Sequence, residues 1–114
     1  MSTQANDPLA ANVLSLANLT DYQEGAIVSR TIIKRKHGSI TLFAFDEGQE
    51  LSEHTAQFDA LVQVVDGAAE VTVDGVPYRV TTGKAILMPA NIPHALSAVT
   101  SFKMVLTMIH SGDN

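Results

Sequence analysis

Any chemistry in this 114-residue chain has to come from imidazoles, because the other common reactive groups are missing or unarranged. There is no cysteine, so no disulfide, thiolate nucleophile or Cys-ligated metal can form. The Ser, His and Asp residues show no nucleophile elbow or triad arrangement, and no glycine loop is built to cradle phosphate. Of the 4 histidines, His37 follows the basic run Lys34-Arg35-Lys36 and His110 lies near the C-terminus. Both are expected to be solvated, one at a hairpin tip and one in a tail. His54 and His94 stand in a different setting. Each closes a block opened by glycine: Gly48-Gln-Glu-Leu-Ser-Glu-His54, and Gly83-Lys-Ala-Ile-Leu-Met-Pro89-Ala-Asn91-Ile-Pro-His94. An imidazole can ligate a metal through a ring nitrogen or act as a general base near neutral pH. Two imidazoles alone fall short of the three protein ligands typical of catalytic zinc, and of the two-His-one-carboxylate set of non-haem iron.

The elements that must position these residues read as strands. From Ile27 onward, short apolar stretches are separated by turn signals, and Asp66-Gly67, Asp74-Gly75 and Thr82-Gly83 recur at close spacing. An Asp-Gly pair supplies the positive-φ residue that a tight hairpin needs. Regular short strands of this kind predict an all-β, antiparallel barrel or sandwich of six to eight strands, and no window shows a helical period. Val71, Val73, Val76, Tyr78 and Val80 alternate with polar neighbours, as in a sheet with one wet face. Ile40 to Phe45, Leu61 to Val65 and Met104 to Ile109 are apolar on both faces. Their second face has to be covered, by a second sheet, by Val13, Leu14 and Leu16 folding back, or by another copy of the chain. A homodimer is the expectation. If residues 54 to 60 form one regular strand, His54, Ala56, Phe58 and Ala60 share a face that continues into Val62 and Val64.

Bulk composition excludes several classes. Twelve acidic and seven basic side chains give a net charge of −5, which repels a phosphate backbone and argues against nucleic acid as a partner. Hydrophobic residues make up 46% and charged residues 17%, the composition of one globular domain. Residues 1–11 are small and polar and read as a loosely held arm, with the folded domain over 12–114. No segment has the pattern of a signal peptide or a membrane span, so no membrane partner and a cytoplasmic location are expected.

The two glycine-to-histidine blocks resemble the two sequence motifs of a small single-domain cupin. The first cupin motif usually reads Gly, five residues, His, one residue, His, three or four residues, Glu, six residues, Gly. Gly48, His54 and Gly67 match it, while Ala56 stands at the second His and Ala60 at the Glu. The second motif usually reads Gly, five residues, Pro, one residue, Gly, two residues, His, three residues, Asn. Gly83, Pro89 and His94 match, with Asn91 in place of Gly and Ala98 in place of Asn. Asn is the residue next best able to adopt the left-handed backbone that Gly would supply. The resemblance covers roughly residues 40 to 109 and implies a cupin-type, jelly-roll-like antiparallel barrel. It also implies that His54 and His94 face one interior point.

Cupins that bind metal usually hold it with three His and one Glu, so the resemblance implies a ligand set reduced here to His54 and His94. One divalent transition ion, iron, zinc, nickel, copper or manganese, and no metal at all are both compatible with that set. Gln57 or Asp59 would join as ligands only if a β-bulge turned it inward. The expected ligand pocket is His54, Ala56, Phe58, Ala60, Val62, Met88 and His94, with Met104 and Met108 as neighbours. The resulting expectation is a protein that binds a small organic molecule inside the barrel beside the two histidines. The alternative is a metal-dependent enzyme of the isomerase, decarboxylase or dioxygenase type. A metal-free enzyme with one His as general base, and a non-catalytic sensory module, complete the field.

Overall fold

In the computed structural model, residues 8–110 are described. They form nine strands: β1 (Ile27–Arg35), β2 (Gly38–Phe45), β3 (Glu50–His54), β4 (Phe58–Asp66), β5 (Ala68–Val73), β6 (Val76–Thr81), β7 (Ala85–Met88), β8 (His94–Ala98) and β9 (Phe102–His110). A 3-10 turn at Leu16–Asn18 precedes them. The strands make a five-stranded sheet in the order β1-β2-β9-β4-β7 and a four-stranded sheet in the order β3-β8-β5-β6, with antiparallel pairing throughout. The all-β, antiparallel reading stands. Nine strands replace the six to eight expected, and they form two sheets packed face to face, the jelly-roll-like arrangement expected. The expected 1–11 arm lies mostly outside the described residues.

The turns form where glycine permits them. Gly67, Gly75 and Gly83 have φ of 85°, 79° and 87°, and Asp74 joins Gly75 in the left-handed region with φ 51°. Gly67 is constrained twice. A Cβ there would run into the Ser101 carbonyl oxygen and lie 2.9 Å from the Phe102 Cα, so no other residue fits.

Alternation along each strand builds the core. Phe45 (β2), Val62 and Val64 (β4), Met88 (β7), and Phe102 and Met104 (β9) meet Ala69, Val71, Val80, Leu96 and Ala98 of the other sheet. Phe45 and Phe102 stack with centroids 4.5 Å apart. The residues between these point to the outer face of the five-stranded sheet. There Leu42 and Ala44 are nevertheless fully buried, and Lys103 and Val105 nearly so. The N-terminal segment covers that half of the face. Lys103 Nζ donates to the Ala17 carbonyl at 2.5 Å and lies 4.9 Å from the Tyr22 ring centroid. Tyr22 donates to Asp66 at 2.5 Å, and Arg30 donates to the Leu19 carbonyl. Of the three apolar residues expected to fold back, Val13 is fully exposed and Leu16 is 38% exposed. The other half of the face keeps a partly uncovered, largely apolar row, because Ile40, Thr107, Leu61 and Leu87 lie side by side in register. Leu87 and Ile109 are 59% and 60% exposed.

Candidate functional site

The inner mouth of the sandwich is assembled from five strands, β3 and β8 of one sheet and β4, β7 and β9 of the other. His54 ends β3 and His94 opens β8, and the two are direct partners in the four-stranded sheet. Regular alternation along β3 would not aim both Leu51 and His54 inward. Leu51 opposes Leu96, so three steps along β3 match two along β8 and one extra residue bulges out. That bulge lets both Leu51 and His54 face the core, a common way of re-aiming a side chain. The bulge lies upstream of His54, not between His54 and Ala60. β3 stops at His54, and Thr55–Gln57 cross to the other sheet, where β4 begins at Phe58. Residues 54 to 60 are therefore two strands and a crossover, not one strand, yet His54, Ala56, Phe58 and Ala60 do line one cavity.

That cavity has a volume of about 70 Å³ and an almost wholly apolar wall. Met88, His94, Met104 and Met108 line it as well, as do Leu51, Leu96 and Leu106, for which the sequence carried no pocket signal. Val62, expected in the pocket, is fully buried in the core beneath it and does not line it. Gln57 and Asp59 are exposed. The Asp59 carboxylate accepts from the Ala90 amide at 2.9 Å, and the Asn91 amide donates to the Ala56 carbonyl at 2.7 Å. These two bonds stitch the β7–β8 loop to the crossover. Asn91 takes φ 66°, the left-handed backbone expected at the glycine position of the motif. His110 ends β9 instead of lying in a tail, with its ring edge-on to Phe58 at 5.1 Å.

The two imidazoles converge. His54 Nε2 lies 3.1 Å from His94 Nε2, with the rings tilted 72°. His54 Nδ1 faces the Ser52 carbonyl at 2.8 Å and His94 Nδ1 faces the Ile92 carbonyl at 3.1 Å. A carbonyl only accepts, so each Nδ1 carries the proton, and in the neutral ring each Nε2 is a lone-pair acceptor. Burial holds the His94 imidazole below its ordinary pKa, and the neighbouring His54 adds to the shift against the opposing pull of the Ile92 carbonyl. Two lone pairs at this separation repel unless a proton, a donor group or a cation lies between them.

A larger open cleft of about 640 Å³ lies between the edges of β6 and β7. Its lining includes Tyr78, Arg79, Lys84 and Leu87 but no histidine or carboxylate. The convergent acceptors are in the smaller cup, and chemistry outweighs volume in choosing between the two.

Residues 41–110, which span both histidine motifs, match the family described as Cupin domain. This chain belongs to the cupin family. The cupin is similar to a conserved protein of unknown function from Streptococcus pyogenes, at 42% identity over 88% of each chain with a TM-score of 0.84. It is also similar to a cupin 2 conserved barrel domain protein from Leptotrichia buccalis, at 40% identity over 84% of this chain with a TM-score of 0.82. It spans 47%, about half, of that second protein. A cupin superfamily protein from Desulfitobacterium hafniense is 26% identical over 89% of this chain and 93% of its own, with a TM-score of 0.84. A search of curated proteins found no match.

The usual cupin metal set does not fit these residues. Ala56 and Ala60 stand at two of the four ligand positions, the Asp59 carboxylate is committed to the Ala90 amide, and among the described residues no three His, Cys, Asp or Glu side chains could hold one ion.

Proposed function

We propose that this cupin binds a small organic molecule at the inner mouth of its barrel, with His54 and His94 gripping the polar end. The convergence of the two Nε2 atoms at 3.1 Å carries this reading. Two acceptors facing one point select a donor: a hydroxyl, an ammonium or a protonated acid. The cup sets the size of what enters. Pockets for drug-sized ligands measure roughly 300–1,000 Å³, whereas this cup holds about 70 Å³, so only a short apolar group fits inside. The polar end then lies beside His54, which is exposed at the rim.

Calorimetric titration with short-chain alcohols, amines and acids tests the reading. Saturable binding that His54→Ala and His94→Ala each weaken at least tenfold is expected. Absence of binding, or binding that both variants retain, would sink it. Should turnover accompany binding, His94 is the group to carry it, because its depressed basicity keeps it neutral near pH 7 with Nε2 free to accept a proton. The metal-dependent alternative, an isomerase, decarboxylase or dioxygenase using a divalent ion, lacks a third His or carboxylate ligand among the described residues.

We also propose that the protein is a homodimer in solution, built on the partly uncovered row of Ile40, Leu61 and Leu87 with Ile109 beside it. That row, interrupted only by Thr107 between Ile40 and Leu61, lies on the outer face of one sheet and is the kind of largely apolar surface a second copy buries. Light scattering should give a dimer mass that Leu87→Asp reduces to a monomer. A monomeric wild type would end this proposal.

A further inference from the structure

The position of the missing cupin carboxylate is framed by sulfur. Ala60 occupies it on β4, and in register on either side stand Met88 of β7 and Met108 of β9. Side chains directly opposite one another across a ladder have Cβ atoms about 5 Å apart on one face. All three residues line the cup together with His54 and His94. Where the family places a hard oxygen donor, this chain has a methyl group between two thioethers. Met88 is 3% exposed, so its sulfur works inside the fold and not in water.

We propose that the cup binds a soft monovalent cation of the copper(I) class, held by His54 Nε2, His94 Nε2 and the thioethers of Met88 and Met108. The inference rests on the histidine pair being the ligand-binding end of the site, and it adds a class of ligand to that reading. Three observations support it. The two Nε2 lone pairs converge with both Nδ1 atoms already committed, which leaves a cation as a suitable occupant of the point between them. The cup is of a size for an ion and its immediate donors, and its wall offers no oxygen ligand. Imidazole and thioether together favour copper(I), whereas carboxylate and carbonyl sets favour magnesium, calcium or manganese, and zinc sites draw on imidazole, thiolate or carboxylate. A charge of +1 also costs less to desolvate in an apolar cup than a charge of +2.

The test uses silver(I), a redox-inert ion of the same class, and copper(I) under anaerobic competition with a chromophoric chelator, with zinc(II) as the borderline, imidazole-binding comparison. One equivalent of silver should bind and shift the ε-methyl NMR signals of Met88 and Met108 but not that of Met1. Copper(I) should compete at least a hundredfold better than zinc(II). Met88→Leu and Met108→Leu conserve volume in the core, and each should weaken silver binding at least tenfold with folding unchanged by circular dichroism. If His54→Ala and His94→Ala abolish silver binding while both leucine variants retain it, the histidine site stands and the sulfur set is overturned. If neither histidine variant affects silver binding, the ion sits elsewhere and the cation site is overturned, while the calorimetric titration with organic donors judges the histidine reading separately. Zinc binding as tight as copper(I) would also overturn the soft set.

Discussion

His54 Nε2 lies 3.1 Å from His94 Nε2, and the other nitrogen of each ring is tied to a carbonyl two residues back in its own chain segment. The backbone therefore chooses the tautomer at both positions. Each strand end presents its lone pair to the other, and a site for a donor or a cation results from main-chain geometry, with no third side chain needed to orient the rings.

The pH dependence of stability follows from His94. Its folded pKa is depressed, chiefly by burial, so the neutral ring is favoured in the fold. With an unfolded value of about 6.5, this contribution is fully present above that pH. It is lost as pH falls below about 6.5 and through the lower folded value. Denaturation midpoints should drop on acidification across this window, and His94→Phe should flatten the slope. An unchanged slope in that variant would assign the effect to other groups.

Asp59 should act as a loop anchor and not as a ligand. Its carboxylate caps the Ala90 amide at the start of the loop that carries Ile92 and His94. Asp59→Ala should cost about 1 kcal/mol, the usual worth of one such bond, and should speed hydrogen exchange at residue 90. Silver affinity should stay within threefold of wild type. A tenfold loss would return Asp59 to the ligand set.

Gly67→Ala should be among the most damaging single changes in the molecule. The left-handed φ of 85° costs an L-residue about 1–2 kcal/mol, and the added methyl would collide with the Ser101 carbonyl oxygen. Together these should cost about 3 kcal/mol or more in chemical denaturation. Gly48, whose added Cβ would meet nothing within 4 Å, is the control and should lose less.

Tyr22 ties the N-terminal segment to the sheet through Asp66. Burial first, and the Asp66 bond second, raise its pKa well above the ordinary value. The bond is thus present below the unfolded value of about 10 and is lost as pH rises through the higher folded value. Tyr22→Phe should destabilise by roughly 0.5–1.5 kcal/mol at neutral pH and raise hydrogen exchange over residues 12–22. Equal exchange in wild type and variant would show that Lys103 and Arg30 hold the segment alone.

The class of the fold and the two imidazoles of the site are legible in the sequence alone. Asp-Gly turns and period-2 alternation are local properties, set by backbone sterics at Asp74-Gly75 and by the opposite faces of successive strand residues, so they are legible without contacts. The left-handed backbone at Asn91 was readable for the same reason. Face assignments around the site were not. The Leu51–His54 bulge leaves no mark in the sequence, because the one extra residue that turns both side chains inward is set by pairing with β8. The grouping of His54 with Ala60 came out right although the two lie on different sheets, because the 55–57 crossover returns the chain to the same interior. Only the tertiary structure placed Met88 and Met108 beside Ala60, turned Asp59 onto the Ala90 amide, and tied Ala17, Leu19 and Tyr22 to Lys103, Arg30 and Asp66 of the sheet. Each of these joins residues distant along the chain, and register between strands is decided by packing and not by the spacing of residues within one strand.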